Sequence, residues 1–232
     1  MKYLIPPSEG KSKVIGSGIK FQDTDFIYNQ NVSEIVTLLE LIDDEDLTSI
    51  YGTSQEKSEL FHRQNIDIFN SDCAHAIDRY TGIVYKNLDW DSFSKSEKEF
   101  MHNHFYIFSG LFGMVQPLTL IPDYKLKMNV LSLEHHWKET LTKTLNDEDM
   151  VVDLLPQVHR KAYKPSDNVK KIDFIVIKKG KKSSAGHFGK AVKGQLVKYI
   201  VKNQITSIDD FGEFNFDGFK WDGDIFIKEE SN

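Results

Sequence analysis

Phe105-Tyr-Ile-Phe-Ser-Gly-Leu-Phe-Gly-Met-Val-Gln-Pro-Leu-Thr-Leu-Ile-Pro-Asp-Tyr-Lys-Leu-Lys-Met128 opens on four bulky apolar residues and then breaks on two glycines and two prolines. The run 105–108 reads as a buried strand. Residues 109–128 cannot form one regular helix or strand, because Gly and Pro interrupt both kinds of hydrogen-bonded backbone. Loops at strand ends are where α/β folds present ligand contacts. Ser109, Tyr124 and Lys125 are therefore candidate contacts, while Leu111, Phe112 and Leu120 read as core.

Outward from this stretch, the chain alternates strand and helix signals. Tyr3–Ile5 is a short strand stopped by Pro6-Pro7. Val32, Ile35, Val36, Leu38, Leu39 and Ile42 recur with helical spacing and predict a helix over 31–42. A second, short helix is expected over 43–50, and a third over 54–69, with Ser54 as a cap. Ser94-Lys-Ser-Glu97 has capping-box spacing and should open a helix to about His104. Ser132 should cap a helix to about Leu145. The β-branched runs 150–155 and 172–177 read as strands, 187–204 as a basic helix, and 214–216 and 225–227 as strand-like. This order predicts an α/β or α+β fold: a single mixed domain over 1–232, with a central sheet flanked by helices.

At 232 residues, with 40% hydrophobic and 28% charged side chains, the composition is that of a globular protein with a sizeable core. A single cysteine, Cys73, excludes an intramolecular disulfide and a Cys-cluster metal site, and its expected place is buried and inert. No apolar run approaches the roughly 20 residues of a membrane span, and Pro6-Pro7 breaks the N-terminus too soon for a signal peptide. These features point to a cytoplasmic protein with no membrane partner. The net charge of −6 argues against nucleic acid, but its distribution does not. Residues 160–202 hold thirteen Lys/Arg and two Asp/Glu, a net of +11 that leaves −17 for the remainder. Such asymmetry suits a basic face for phosphates, or simply a solvated lysine surface.

Pro6-Pro-Ser-Glu-Gly-Lys11 leaves the first strand with a hydroxyl, a carboxylate, a glycine and an ammonium close together. Ser8, Glu9 and Lys11 are candidate contacts, though P-loop spacing is absent and a plain turn explains the pattern as well. In Ala76-Ile-Asp-Arg-Tyr-Thr-Gly82, Arg79 suits a forked grip on phosphate, Asp78 an orienting or basic role, and Tyr80 either base stacking or core filling. His102/His104 and His135/His136 have poor chelating spacing, so no metal site and no cofactor are read. Gly194, inside the basic helix, costs about 1 kcal/mol relative to Ala and suggests a close approach.

Three blocks together resemble the YaaA family (UPF0246, DUF328): Leu-Ile-Pro-Pro-Ser-Glu-Gly-Lys at 4–11, Ala-Ile-Asp-Arg-Tyr-Thr-Gly-Ile-Val-Tyr at 76–85, and the Ser109–Met128 stretch. The resemblance implies a single mixed α/β domain with a basic cleft and a helix-hairpin-helix-like element. It implies a peroxide stress role that limits intracellular iron damage, and binding of duplex or distorted DNA without sequence preference. The C-terminal half departs from the family pattern. Where the family has an Asn-Leu-Ala-Ser-x-Glu-Tyr-like block, Asp153 stands for the Asn, Pro156 for the Ser and Val158 for the Glu, while Lys161 fits. The family's Lys-x-Ala-Arg-Gly appears as Lys190-Ala-Val-Lys193-Gly194, and lysine lacks arginine's rigid fork.

The leading expectation is a stress protein that meets DNA phosphates through 160–202, with Ser8, Glu9, Lys11, Asp78, Arg79, Ser109 and Tyr124 gathered at a cleft. The alternative is an enzyme acting on a nucleotide, nucleoside or damaged base, with a small nucleotide-like ligand held by the same polar cluster.

Overall fold

Tyr3, Leu4 and Ile5 are all fully buried, so the first strand must be covered on both faces, the signature of a central parallel strand. The computed structural model describes residues 1–230. In chain order, β1 (Lys2–Ile5) is followed by α1 (Asn29–Glu40), α2 (Leu47–Tyr51), α3 (Gln55–Ile66), β2 (Cys73–His75), α4 (Ala76–Arg79), α5 (Ile83–Leu88) and α6 (Lys95–His104). Then come β3 (Phe105–Ser109), β4 (Gly113–Val115), β5 (Leu120–Pro122), α7 (Leu133–Asn146), β6 (Val151–Asp153), α8 (Gln157–Arg160) and β7 (Val169–Lys171). The chain continues through β8 (Phe174–Lys178), β9 (Lys181–Ser184), α9 (Gly186–Lys202), β10 (Lys220–Trp221) and β11 (Phe226–Glu230).

The main sheet has the order β4-β3-β1-β6-β7. β1 pairs in parallel with β3 (Tyr3 opposite Phe105) and with β6 (Leu4 opposite Asp153). Tyr3 stacks on Phe105 at 4.7 Å between ring centroids, and its hydroxyl donates to the Ile205 carbonyl at 2.8 Å. β4 turns back antiparallel on β3, so the glycine-rich break begins as a tight return. Its Gly113 adopts φ +67°, and an added Cβ would lie 2.6 Å from the Trp137 ring. A second sheet, β10-β11-β8-β9, sits on an aromatic core in which Phe174 and Phe226 stack at 5.4 Å. β2 and β5 form a separate antiparallel pair. The mixed α/β architecture agrees with the sequence reading, and no described helix is long and apolar enough to cross a membrane.

Several local expectations are corrected. Residues 214–216 are not a strand: Phe214 is buried just after a 3-10 turn (Ile208–Glu213), where its ring meets Phe226 at 5.2 Å. The 172–177 run divides, because Arg160 takes the Ile172 carbonyl at 3.2 Å and the strand proper starts at Phe174. The acidic 43–50 segment begins as a 3-10 turn before α2, and the 54–69 helix ends at Ile66. Ser94 and Glu97 form the expected capping box, whereas Ser54 and Ser132 make no side-chain cap bond.

Gly194 has the packing reason its position suggests. It lies where α9 crosses α5, and a Cβ there would sit 2.4 Å from the Val84 carbonyl oxygen and 2.6 Å from Asn87 Cβ. Backbone cannot yield as a flexible side chain does, so overpacking outweighs the helix-propensity gain of about 1 kcal/mol. Gly194→Ala should therefore lower stability in urea denaturation by about 1–3 kcal/mol, whereas a midpoint raised by the propensity gain would contradict this packing.

Candidate functional site

The backbone of Lys11 bridges that of Tyr80, and Ser12 N–H donates to the Arg79 carbonyl at 2.8 Å. Side chains complete the join. Ser8 Oγ accepts from Thr81 N–H at 2.8 Å, Thr81 Oγ1 donates to the Gly10 carbonyl at 2.9 Å, and Tyr85 donates to the Pro6 carbonyl at 2.7 Å. Segments 4–11 and 76–85 are thus tied together at the exit of β1.

The third segment joins through a chain of buried hydroxyls. Ser109 Oγ accepts from Phe112 N–H at 2.9 Å and donates to the Tyr124 hydroxyl at 2.8 Å. Tyr124 and Tyr80 share a hydrogen bond of 2.9 Å between their hydroxyls. Asn65, fully buried, brackets Lys125 by accepting from its N–H at 3.1 Å and donating to its carbonyl at 2.8 Å. Gly110 lets 126–127 close in, since a Cβ there would meet the Leu126 carbonyl oxygen at 2.6 Å.

Lys11 emerges at the centre of this construction. Its Nζ sits 3.9 Å from the Tyr124 ring centroid and 5.6 Å from that of Tyr80. It makes no hydrogen bond or ion pair among the described residues. Burial lowers its pKa to about 8; Asp123 and Glu9 oppose that fall, and Lys125 and Arg79 add to it. The ammonium faces a cavity of about 110 Å³ whose wall includes Ser8, Glu9, Tyr124, Lys125, Lys127 and His159. Lys125 Nζ donates to the Glu9 carbonyl at 3.1 Å, and Lys127 pairs with the Glu9 carboxylate at 3.5 Å.

Other expected site residues are placed differently. Arg79 is buried, and its guanidinium donates to the Ile121 and Asp72 carbonyls at 2.7 and 3.0 Å. It clamps backbone at the β2–β5 pair, which corrects its expected role as a phosphate fork. Tyr80 is 3% exposed and fills the core, so it offers no face to a base. Asp78 is exposed, 3.7 Å from His75, and lines a neighbouring groove with Thr81 and Lys86. Ser109 is fully buried and contributes only through Tyr124. Lys161 is exposed at the end of α8. Lys190 and Lys193 line a separate cavity of about 380 Å³ with Arg160, Asp173 and Ser184. Burial lowers the Lys193 pKa to about 8, with Arg160 and Lys190 adding and Asp153 and Asp173 opposing.

The family described as peroxide stress protein YaaA matches residues 1–225. This chain belongs to that family. Relatives include a UPF0246 protein of Francisella tularensis subsp. tularensis, 28% identical over 225 residues that cover 88% of this chain and 89% of the relative. A UPF0246 protein of Streptococcus gordonii is 26% identical over 196 residues, 80% of each chain.

Residues 152–163 are organised around Asp153. This fully buried carboxylate accepts from Leu155 N–H at 2.6 Å, Tyr163 Oη at 2.6 Å and Arg160 Nε at 3.0 Å. Arg160 also pairs with Asp173 at 2.9 Å. His159, which the sequence reading passed over, lines the Lys11 cavity from α8. Burial drives its pKa down to about 4, and its buried Nδ1 has no partner among the described residues. Only its neighbourhood in space, not its spacing, marks it. Cys73 is buried with its thiol pushed up to about 11 by desolvation, and no group of three or more His, Cys, Asp or Glu among the described residues is arranged to hold a metal.

The depressed Lys11 pKa links stability to pH. Between about 8 and the unfolded value near 10.4, the unfolded state binds more protons at this site. The burial penalty is present below that window and is relieved as pH rises through it. Urea denaturation from pH 8 to 10 should show a smaller rise, or a steeper fall, in Lys11→Met than in the parent; equal slopes would rule out the depressed amine.

Proposed function

We propose that this chain acts in the peroxide stress response by binding DNA through its phosphates, with 160–202 as the contact surface and no reading of sequence. The observation that carries the proposal is how the cations of that segment are used. Arg160, Lys170, Lys178, Lys198 and Lys202 are paired with carboxylates. The other eight, Lys161, Lys164, Lys171, Lys179, Lys181, Lys182, Lys190 and Lys193, make no ion pair among the described residues. Three of them crowd the β8–β9 turn, where Lys179 (φ 50°) and Gly180 (φ 71°) form a tight reversal that holds the ammonium groups in solvent. Unpaired ammonium groups on a chain of net charge −6 suit a polyanion whose bound counterions are released on contact. Iron cations are among the counterions that phosphates attract, so occupancy of the backbone would limit iron damage at DNA.

Electrophoretic mobility shift on duplex and bubbled DNA over a salt series tests this. Binding should weaken steeply with salt, and Lys179→Glu/Lys181→Glu/Lys182→Glu should weaken it on all sequences alike and reduce the log–log salt slope by roughly 2–3, at about 0.9 per phosphate lost. Binding absent at low salt, or indifferent to salt, would reject the proposal. A second reading, an enzyme acting on a nucleotide, nucleoside or damaged base, is favoured by one observation: the uncommitted Lys11 amine in its cavity.

A further inference from the structure

We propose that Lys11 is a carbonyl-condensing amine: in the cavity between the 7–11 loop, segment 124–129 and α8, its Nζ attacks an aldehyde or ketone and holds it as an imine. This chemistry is independent of DNA binding.

Placement comes first. Nζ is held over the Tyr124 ring at 3.9 Å, and no carboxylate or carbonyl among the described residues accepts a hydrogen bond from it. A structural lysine ordinarily spends its ammonium on such acceptors, because a buried charge without them is costly. The charged and titratable groups around it are Asp123, Glu9, Lys125 and Arg79, with the buried hydroxyls of Tyr80 and Tyr124. Desolvation raises both tyrosine pKa values, which keeps those hydroxyls protonated at neutral pH. With the amine titrating near 8, roughly a tenth is neutral at pH 7, against about one in three thousand for an ordinary lysine. The neutral amine is the nucleophile in imine formation.

Solvent carries the protons. The neutral nitrogen of Lys11 adds to the carbonyl carbon as the C=O π pair moves onto oxygen, and the extra proton on nitrogen passes through solvent to that oxygen, giving the neutral carbinolamine. A second proton, from solvent, converts the hydroxyl to water, which departs as the nitrogen lone pair forms the C=N bond. The reaction balances as amine plus carbonyl giving protonated imine, with water formed and the incoming proton taken from solvent; no oxidant or reductant takes part.

The cavity also selects. Its volume of about 110 Å³ admits a small carbonyl compound or the end of a larger one. Lys127 on its wall is paired with Glu9, but Lys125, whose ammonium meets only the Glu9 carbonyl among the described residues, favours a substrate with an anionic group beside the carbonyl. The class is therefore a short aldehyde or keto compound bearing carboxylate or phosphate.

Reductive trapping tests this. The full chain is incubated at pH 7 with glyoxylate and sodium cyanoborohydride, digested, and the modified lysines mapped by mass spectrometry. A carboxymethyl group should form on Lys11 at least about tenfold faster than on exposed lysines such as Lys161, as its larger neutral fraction requires. Glycolaldehyde, which lacks the anion, should modify Lys11 more slowly, and the Lys11 rate should follow the titration of one group near pH 8. Lys11→Arg, checked for folding by circular dichroism, should lose the fast site. Modification spread evenly over exposed lysines, or concentrated on Lys193, whose pKa is equally low, would overturn the proposal. The wild-type map alone decides between these outcomes.

Discussion

The Tyr124 hydroxyl lies inside the core, and an unpaired hydroxyl there costs about 1–3 kcal/mol. It finds partners in Ser109, at the end of a central strand, and in Tyr80, from a segment more than forty residues earlier in the chain. This requirement assembles the site. Ser109 is fixed by β3, Tyr80 by its backbone bridge to Lys11, and Tyr124 must come to both. Once it does, its ring forms the floor under the Lys11 ammonium. The same side chain thus spends its polar end on the core and its apolar face on the cavity, as tyrosine is suited to do.

A second organising demand is charge. The basic segment is partly neutralised by carboxylates from elsewhere: Asp89 and Glu97 meet Lys198 and Lys202 of α9, and Asp224 and Glu230 meet Lys170 and Lys178. These exposed pairs contribute little to stability. Their effect is to sort the lysines, leaving those of the β8–β9 turn and the start of α9 without carboxylate partners among the described residues. Acidic and basic stretches of one chain can therefore coexist with a small net charge.

Much of the fold could be read from the residues. Tyr3–Ile5 and Phe105–Phe108 are too apolar to be anything but central strands, and Ser94/Glu97 announced α6 through its cap. The second sheet was obscured because β9, Lys-Lys-Ser-Ser, is exposed along its whole length and carries no alternation. Phe214 misled because burial in an aromatic cluster and membership of a strand leave the same apolar trace. At the site, Ser8, Glu9, Lys11, Tyr124 and Lys125 line one cavity, whereas Asp78 lies in a neighbouring groove and Arg79 and Ser109 are buried. Arg79 could not be resolved by sequence, since an arginine that clamps carbonyls and one that grips phosphate look identical there. His159 reaches the cavity only through the turn after β6, which no local pattern encodes.

The Asp153–Arg160 anchor has a consequence for which of its two ends can be changed. Asp153 is fully buried and Arg160 is its cation, so removing Arg160 alone leaves an uncompensated charge in the core, at a cost of about 3–5 kcal/mol. Arg160 has a second carboxylate in the half-exposed Asp173 and keeps it when Asp153 is neutralised. The pair is therefore lopsided: position 153 can lose its charge while 160 keeps a counter-ion, and the reverse order strands the carboxylate.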